Sequence, residues 1–248
     1  MEKINFHNFS KIVILLIVLI LASCQEETER TISFEESYSK VEDSVLMEFN
    51  LVKASSKNEP FSSLINKTIE DSIVRILHQA KRKSNNKTID DAIISFKKEY
   101  AHFKSEFNEP EVHFECTFDT EVLYQSDEIL TIALTSYFNL GGAHGNSYIS
   151  ILNFDKQTQS LINSNIELLY NSDEFKVLFN KSFKEELTKQ LESDVEIEST
   201  SISLPNQIGL NYEGVLFIYN AYEIDIIGPE LFEFVIPYNE IEKSLNYH

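Results

Sequence analysis

The stretch VHFECTFDTEVLY, residues 112–124, decides the fold, because its apolar residues recur at every second position. Successive side chains of a strand point to opposite faces of a sheet, so this period predicts one long strand with a buried face. The residues expected on that face are Val112, Phe114, Cys116, Phe118, Thr120, Val122 and Tyr124. The residues between them are mostly polar and are expected to face solvent.

Two further strands are predicted directly after this one. Residues 129–138 and 147–154 are rich in β-branched and aromatic side chains on both faces, as expected of inner strands covered by helices. The segment between them, residues 139–146, contains three glycines, which supply positive φ angles. The pair therefore reads as a hairpin with an elaborate loop.

Three amphipathic helices flank these strands. Apolar residues spaced by three and four predict helices from Phe61 to Leu77, from Ile89 to Phe107 and from Ser172 to Leu191. Thr88 with Asp91 can cap the second helix, and Ser172 can cap the third. An opening pair of strands is expected within residues 31–52, and one strand at each of residues 207–219 and 231–236, with a loop at 220–228 and a turn or short helix from Pro237. This order predicts an α+β fold, an antiparallel sheet with about three helices packed on it.

The amino terminus has the layout of a secretory signal. Lys3 and Lys11 precede an apolar run, IVILLIVLILA, at residues 12–22, and Cys24 follows directly after Leu21-Ala22-Ser23. Those eleven residues make a helix of roughly 16 Å, about half of a bilayer core. The tetrapeptide ending at Cys24 resembles the lipobox of bacterial lipoproteins, which implies cleavage before Cys24 and lipid on its thiol. The alternative is an ordinary signal peptide with a chance cysteine.

The expected organisation has three parts. Residues 1–23 are the signal peptide, residues 24–31 are a lipidated polar tether, and residues 32–248 are one domain or two tightly joined halves, about 32–140 and 141–248. We expect the protein in the cell envelope, anchored by lipid to the outer membrane and facing either the periplasm or the cell surface.

The chain is strongly acidic. Its 40 acidic and 21 basic side chains give a net charge of −19. Loss of residues 1–23 would remove Glu2, Lys3 and Lys11 and leave −20. Such a charge disfavours nucleic acid as a partner and favours basic ones. After lipidation of Cys24 the one remaining thiol is Cys116, so no intramolecular disulfide can form.

The segment Gly141-Gly142-Ala143-His144-Gly145 is the most distinctive motif. His144 in such a loop could bind a ligand, coordinate a metal or act as a general base. Its usual companions are missing, because the other histidines show no metal-ligand spacing and no nucleophile is visible. The alternative is that the glycines only shape the turn. We predict no metal and no cofactor.

Separated motifs carry a resemblance to known families. Ser136-Tyr137-Phe138 leads into the glycine-histidine loop, Asn153-Phe154-Asp155 follows, and Tyr219-Asn220-Ala221-Tyr222-Glu223-Ile224 and Ile236-Pro237-Tyr238 come later. Residues 32–241 resemble the paired families of domains of unknown function DUF4163 and DUF3298. These families accompany PdaC-type peptidoglycan deacetylases and occur in the RsiV-type anti-sigma factor that senses lysozyme. The chain departs from them at Gln157-Thr158-Gln159, where a glycine is usual, and in the acidic segment 223–228.

The resemblance implies a non-enzymatic module that binds or senses peptidoglycan or a basic protein such as lysozyme, because the catalytic domain of the deacetylases is absent. Loop tyrosines suit recognition. The candidate binding residues are Tyr137, Gly141, Gly142, His144, Gly145, Tyr219, Tyr222 and Glu223. The alternative is a cell-wall glycan hydrolase or deacetylase that uses His144 with a carboxylate such as Asp155 or Glu223.

Overall fold

The computed structural model describes residues 32–78, 88–107, 113–142, 144–191, 202–225 and 227–247. The expected signal peptide, Cys24 and the tether lie outside these ranges. Among the described residues, no helix has the length and apolar character needed to cross a membrane. The chain from Ile32 onward forms one compact unit.

A six-stranded sheet is built from the first half of this unit. Its strands are β1 (Ser33–Glu42), β2 (Leu46–Ser55), β3 (Glu115–Gln125), β4 (Ile129–Asn139), β5 (Asn146–Asp155) and β6 (Ser160–Ile162), in that spatial order. The predicted opening strands, long strand and hairpin are confirmed. All neighbours are antiparallel except β2 and β3, which run parallel. Two helices lie between these strands in the chain, and such a long crossover is what a parallel pair requires.

Those two helices, α1 (Glu59–His78) and α2 (Ile89–Phe107), cover one face of this sheet. The predicted cap of α2 is present, with the Asp91 backbone N–H donating to Thr88 Oγ1 over 3.2 Å. Their apolar faces pack on Cys116 and Phe118, as the period-two pattern predicted. The class prediction of α+β is therefore confirmed.

The alternation predicted for β3 fails at its end. The pairing with β4 shifts register between Val122 and Tyr124, which is a β-bulge. The extra residue turns Tyr124 to the opposite face, where it packs on Tyr238 with ring centroids 6.1 Å apart. Tyr124 thus belongs to the second core and not to the face that carries Phe118.

A second sheet contains the strand predicted at 207–219, but as two strands. Its members are β7 (Gln207–Leu210), β8 (Gly214–Tyr219) and β9 (Phe232–Pro237), all antiparallel neighbours. Asn211 makes the turn, its Oδ1 accepting from the backbone N–H groups of Glu213 and Gly214 at 2.9 Å. A side chain at Gly214 would place Cβ 2.1 Å from the Ile236 carbonyl, so the close approach of β9 requires glycine there.

The third long helix packs on this second sheet. The chain first makes a short turn, α3 (Asn165–Leu168), and then α4 (Asp173–Leu191), whose first turn is capped by Ser172 as predicted. Phe179 meets Phe217 with ring centroids 5.1 Å apart, and Phe183 meets Phe232 at 5.0 Å. The chain closes with α5 (Tyr238–Ile241) and a single 3₁₀ turn, Glu242–Ser244. Helix pair, sheet, sheet and helix form successive layers around two hydrophobic cores.

We expect Cys116 to be chemically inert in the folded protein. Its side chain is 0% exposed, and burial together with the neighbouring Glu115 raises its pKa to about 12, so the reactive thiolate does not form near neutral pH. In a Cys24→Ser full-length chain Cys116 is the only thiol. Labelling with a disulfide reagent at pH 8 should reach completion in denaturant and stay near zero in buffer. Rapid labelling of the native protein would contradict the buried position.

Candidate functional site

The glycine-histidine loop joins β4 to β5 as predicted. Gly141 has φ +80° and donates its backbone N–H to Asn139 Oδ1 over 3.1 Å. A Cβ at Gly145 would lie 2.3 Å from the Tyr137 ring, so this glycine lets the ring lie against the backbone. His144 is exposed and makes no hydrogen bond or ion pair with the described residues. Within those residues, no group of three or more histidine, cysteine or acidic side chains could hold a metal ion.

A cleft lies at the foot of this hairpin. It has a volume of about 490 Å³ and is bounded by the end of α1, by α2, by the ends of β4 and β5 and by the loop after β8. The lining residues are Ile76, Leu77, Phe96, Ser136, Phe138, Leu140, Asn146, Ser147, Tyr148, Ala221 and Tyr222. None of these side chains is charged near neutral pH, and the cleft combines apolar surface with amide, hydroxyl and phenol groups.

The alternation of β4 and β5 decides which predicted residues reach the cleft. Ser136 pairs with Tyr148 and Phe138 with Asn146, and these pairs lie on the face covered by α1 and α2. Tyr137 lies one residue away in β4 and therefore points to the opposite face. The candidate residues Tyr137 and Gly145 thus lie together, but on the other side of the hairpin from the cleft.

Tyr222 is the predicted residue that the structure places in the cleft lining. It is 73% exposed and has φ +62°, a left-handed conformation that is uncommon for a tyrosine. Its backbone N–H donates to the Gly228 carbonyl over 2.7 Å, which closes the loop on itself. The loop therefore presents the Tyr222 side chain at the rim.

Tyr219 and Glu223 have structural roles instead. Tyr219 is 2% exposed, and its hydroxyl donates to the Ser203 carbonyl over 2.6 Å, so this candidate binding residue lies buried and outside the cleft lining. Burial raises the pKa of this phenol, with a further contribution from Glu223. Glu223 accepts the backbone N–H groups of Asn206 at 2.7 Å and Asn220 at 2.9 Å, one on each carboxylate oxygen. Both oxygens are thus engaged in holding the loop.

The proposed pairing of His144 with Asp155 is wrong. His144 precedes the first residue of β5 and Asp155 is its last, so strand rise separates them by roughly 30 Å. Asp155 Oδ1 accepts the backbone N–H groups of Gln157 at 2.7 Å and Thr158 at 2.8 Å and thereby builds the turn into β6. Gln159 in that turn has φ +54°, which accounts for the glycine that is usual in the resembling families.

Sequence reasoning missed Asn220, which fixes the loop against the cleft. This side chain is 4% exposed. Its Oδ1 accepts the Ile149 backbone N–H over 2.8 Å, and its Nδ2 donates to the Ile149 carbonyl over 3.0 Å. Gln207 Oε1 accepts the Ile151 backbone N–H over 2.8 Å, and its Nε2 donates to the Tyr148 hydroxyl over 3.3 Å. The available signal in the sequence was an asparagine placed directly after the apolar run that forms β8.

Asn220→Asp should destabilise the fold by about 2 kcal/mol, because a carboxylate would face the Ile149 carbonyl and the amide donor would be lost. Asn211→Asp is the matched control, since Asn211 uses only its side-chain oxygen and aspartate retains that acceptor. Denaturant unfolding of the two variants and the wild type at pH 7 measures the difference. Equal stability of the two variants would remove the special role of the Asn220 amide.

Comparisons with known proteins give a family-model match and similar solved structures. Residues 38–147, from β1 to the start of β5, match the family model described as "Deacetylase PdaC". A solved DUF3298 family protein from Bacteroides fragilis superposes with a TM-score of 0.62 at 16% identity, covering 87% of this chain and 93% of that chain. A DUF3298 family protein from Pseudomonas aeruginosa gives a TM-score of 0.60 at 17% identity, covering 87% and 94%. No curated protein matches the sequence.

Proposed function

We propose that this chain, whose residues 38–147 match the PdaC family model and whose fold is similar to that of two DUF3298 proteins, is a non-enzymatic lipoprotein that binds peptidoglycan. The proposed site is the cleft between the hairpin end and the Tyr222 loop. Lipid on Cys24 would hold the domain at the outer membrane, within reach of the wall. The lipid and this location belong to the proposal.

The uncharged, amphipathic lining of the cleft is the observation that carries this proposal. A glycan presents apolar ring faces beside hydroxyl and acetamido groups, and aromatic side chains with a few polar groups suit such a ligand. Tyr148 and Tyr222 supply the aromatic surface. The side chains of Asn146 and Ser147 make no hydrogen bond with the described residues and so can serve a ligand. The volume of about 490 Å³ suits a short segment of one glycan chain.

Binding without catalysis follows from the same lining. Hydrolysis or deacetylation needs an acid or base within hydrogen-bond reach of the reacting atoms, or a metal. None of the described lining residues is a carboxylate or a histidine. The resemblance to a deacetylase family therefore supports recognition of the wall and not the reaction.

The cleft is tested by two substitutions at its rim. Tyr222→Ala removes an aromatic contact and should weaken co-sedimentation with purified peptidoglycan about tenfold, the scale of ~1.4 kcal/mol for one well-placed ring. Ala221→Trp should block the cleft and abolish binding. Tyr170→Ala is the control, because Tyr170 is another exposed tyrosine and lies outside the cleft. His144→Ala should bind like the wild type.

Unchanged binding by both Tyr222→Ala and Ala221→Trp would reject the cleft as the site. Mass spectrometry of the recovered peptidoglycan should show no loss of acetyl groups and no new chain ends. Loss of acetyl groups would support the deacetylase alternative, and new chain ends would support the hydrolase alternative.

The charge of the chain favours a second candidate, a basic protein such as lysozyme. Among the described strands β1 pairs only with β2, and its outer edge exposes Glu35 and Glu36. An acidic edge of this kind attracts a cationic surface at long range. The site would be this edge and not the cleft.

Lysozyme affinity should then fall steeply between 0.05 and about 0.5 M salt, because the Debye length shortens from ~14 to ~4 Å. A Glu35→Gln/Glu36→Gln double variant should bind more weakly than Glu185→Gln/Glu186→Gln, which removes the same charge from α4. Surface plasmon resonance at matched salt compares them. Equal affinities would show only a nonspecific effect of net charge.

A further inference from the structure

A second cavity lies far from the cleft, near the Asp155 end of β5. It has a volume of about 250 Å³ and shares no lining residue with the cleft. The lining residues are Tyr124, Ile129, Leu210, Tyr238, Glu242, Leu245 and Tyr247. The bulge at the end of β3 makes this cavity possible, because it turns Tyr124 towards the second core. Ligand pockets for drug-sized molecules usually occupy ~300–1,000 Å³, so this cavity suits a single small head group.

The tyrosines of this cavity are electron-rich and have few free donors. The Tyr238 hydroxyl donates to the Asn211 carbonyl over 2.6 Å, and the Tyr247 hydroxyl donates to Asp155 Oδ2 over 3.2 Å. With these protons engaged, both side chains offer a ligand ring surface and oxygen lone pairs. That combination favours a cation and offers little to an anion.

Tyr212 extends the aromatic surface beyond the lining. It is 75% exposed at the turn between β7 and β8, and its ring meets Tyr124 edge-on with centroids 5.5 Å apart. Tyr124 in turn lies next to Tyr238. Three aromatic side chains thus run from solvent into the cavity.

One carboxylate lines the cavity, and three others act on the phenol of the lining residue Tyr247. Glu242 lines it, and its carboxylate has no hydrogen-bond or ion-pair partner among the described residues. Burial and, after it, the negative charges of Asp155, Glu167 and Glu128 together raise the pKa of the Tyr247 phenol to about 12. Lys156 is buried close to these groups, and its ammonium group donates to the Ser126 carbonyl. The local balance of charge is therefore negative.

We propose that this tyrosine-lined cavity binds an alkylammonium cation. Aromatic rings and an acidic rim recognise ammonium groups through the ring quadrupole and through direct charge attraction. The aliphatic residues Ile129, Leu210 and Leu245 complement the methyl or methylene groups beside the nitrogen. The ammonium group can come from a small choline-like molecule or from a lysine side chain. This site is independent of the peptidoglycan cleft.

Calorimetric titration of the full-length protein in a non-ionic detergent tests the proposal. Choline should bind saturably, and 3,3-dimethylbutan-1-ol, its uncharged analogue of the same shape, should bind at least about tenfold more weakly. Nα-acetyl-lysine methylamide is the second cationic probe, with its Nε-acetylated form as the neutral control. Tighter binding of choline identifies the small molecule as the source, and tighter binding of the lysine derivative identifies the side chain.

Two variants assign the binding to this cavity. Tyr247→Leu keeps apolar volume and removes a ring, so affinity for the preferred cation should fall about tenfold. Glu242→Gln removes the rim charge from an exposed residue without disturbing the core and should weaken binding several-fold. Glu240→Gln and Tyr170→Leu are matched controls that should bind like the wild type, because neither residue lines the cavity.

Equal binding of charged and neutral probes would overturn the proposal, as would the absence of saturable binding by both cations. Equal loss in Glu242→Gln and Glu240→Gln would also overturn it, because it would show a general effect of surface charge. Should Tyr247→Leu fail to fold, the comparison of the two glutamate variants decides alone. Peptidoglycan co-sedimentation of the same variants should be unchanged, which separates this result from that for the cleft.

Discussion

The side-chain amide of Asn220, closed on the N–H and the carbonyl of Ile149, is the interaction on which the arrangement of the two sheets depends. Strand β6 pairs only with residues 153–155 of β5, so no other described strand pairs with the rest of that outer edge. Buried backbone groups without partners are costly. Asn220 and Gln207 supply those partners from side chains and so attach the second sheet to the first.

The hydrogen bonds that attach the second sheet to β5, here called the seam, continue deeper between the two sheets. Thr131 Oγ1 donates to Asn153 Oδ1 over 2.8 Å, and Asn153 Nδ2 donates to the Ile208 carbonyl over 2.7 Å. A chain of amides and hydroxyls therefore runs along β5 where the sheets meet. Because Ala221 and Tyr222 directly follow Asn220, the position of the cleft rim is determined by this seam. The side chains at the cleft rim are thus placed there by the hydrogen bonds that Asn220 makes to the unpaired edge of β5.

The sequence was sufficient for features that depend on local periodicity. The three long helices, two of their caps and the β4–β5 hairpin follow from the spacing of apolar residues and from Thr88, Ser172 and the loop glycines. Features that depend on distant partners were not predictable. The bulge between Val122 and Tyr124 and the parallel pairing of β2 with β3 each depend on a tertiary contact that leaves no periodic signal.

The candidate site likewise has features that the sequence predicted and features that it did not. The glycine loop could be located because clustered glycines are unusual in regular structure, and Tyr222 because it lies in a segment predicted as a loop. The face towards which each side chain points was not visible in the sequence. Tyr137 and Tyr148 occupy opposite faces of one hairpin, and only the register of β4 with β5 decides which of them lines the cleft. Ile76, Leu77 and Phe96 read as ordinary core residues, because apolar helical spacing does not show which core residues also border a cleft.

Strand β5 also separates two kinds of recognition within one acidic molecule. Near its first residues lies a cleft whose lining is uncharged, and near its last residue lies a smaller cavity with tyrosine rings and a glutamate. The chain has a net charge of −19, but at 0.1 M salt the electrostatic effect of surface charges is largely screened beyond about 10 Å. Selection at each site must therefore come from the side chains in contact with the ligand. A neutral glycan suits the first lining and an ammonium group the second, so the net charge alone identifies neither ligand.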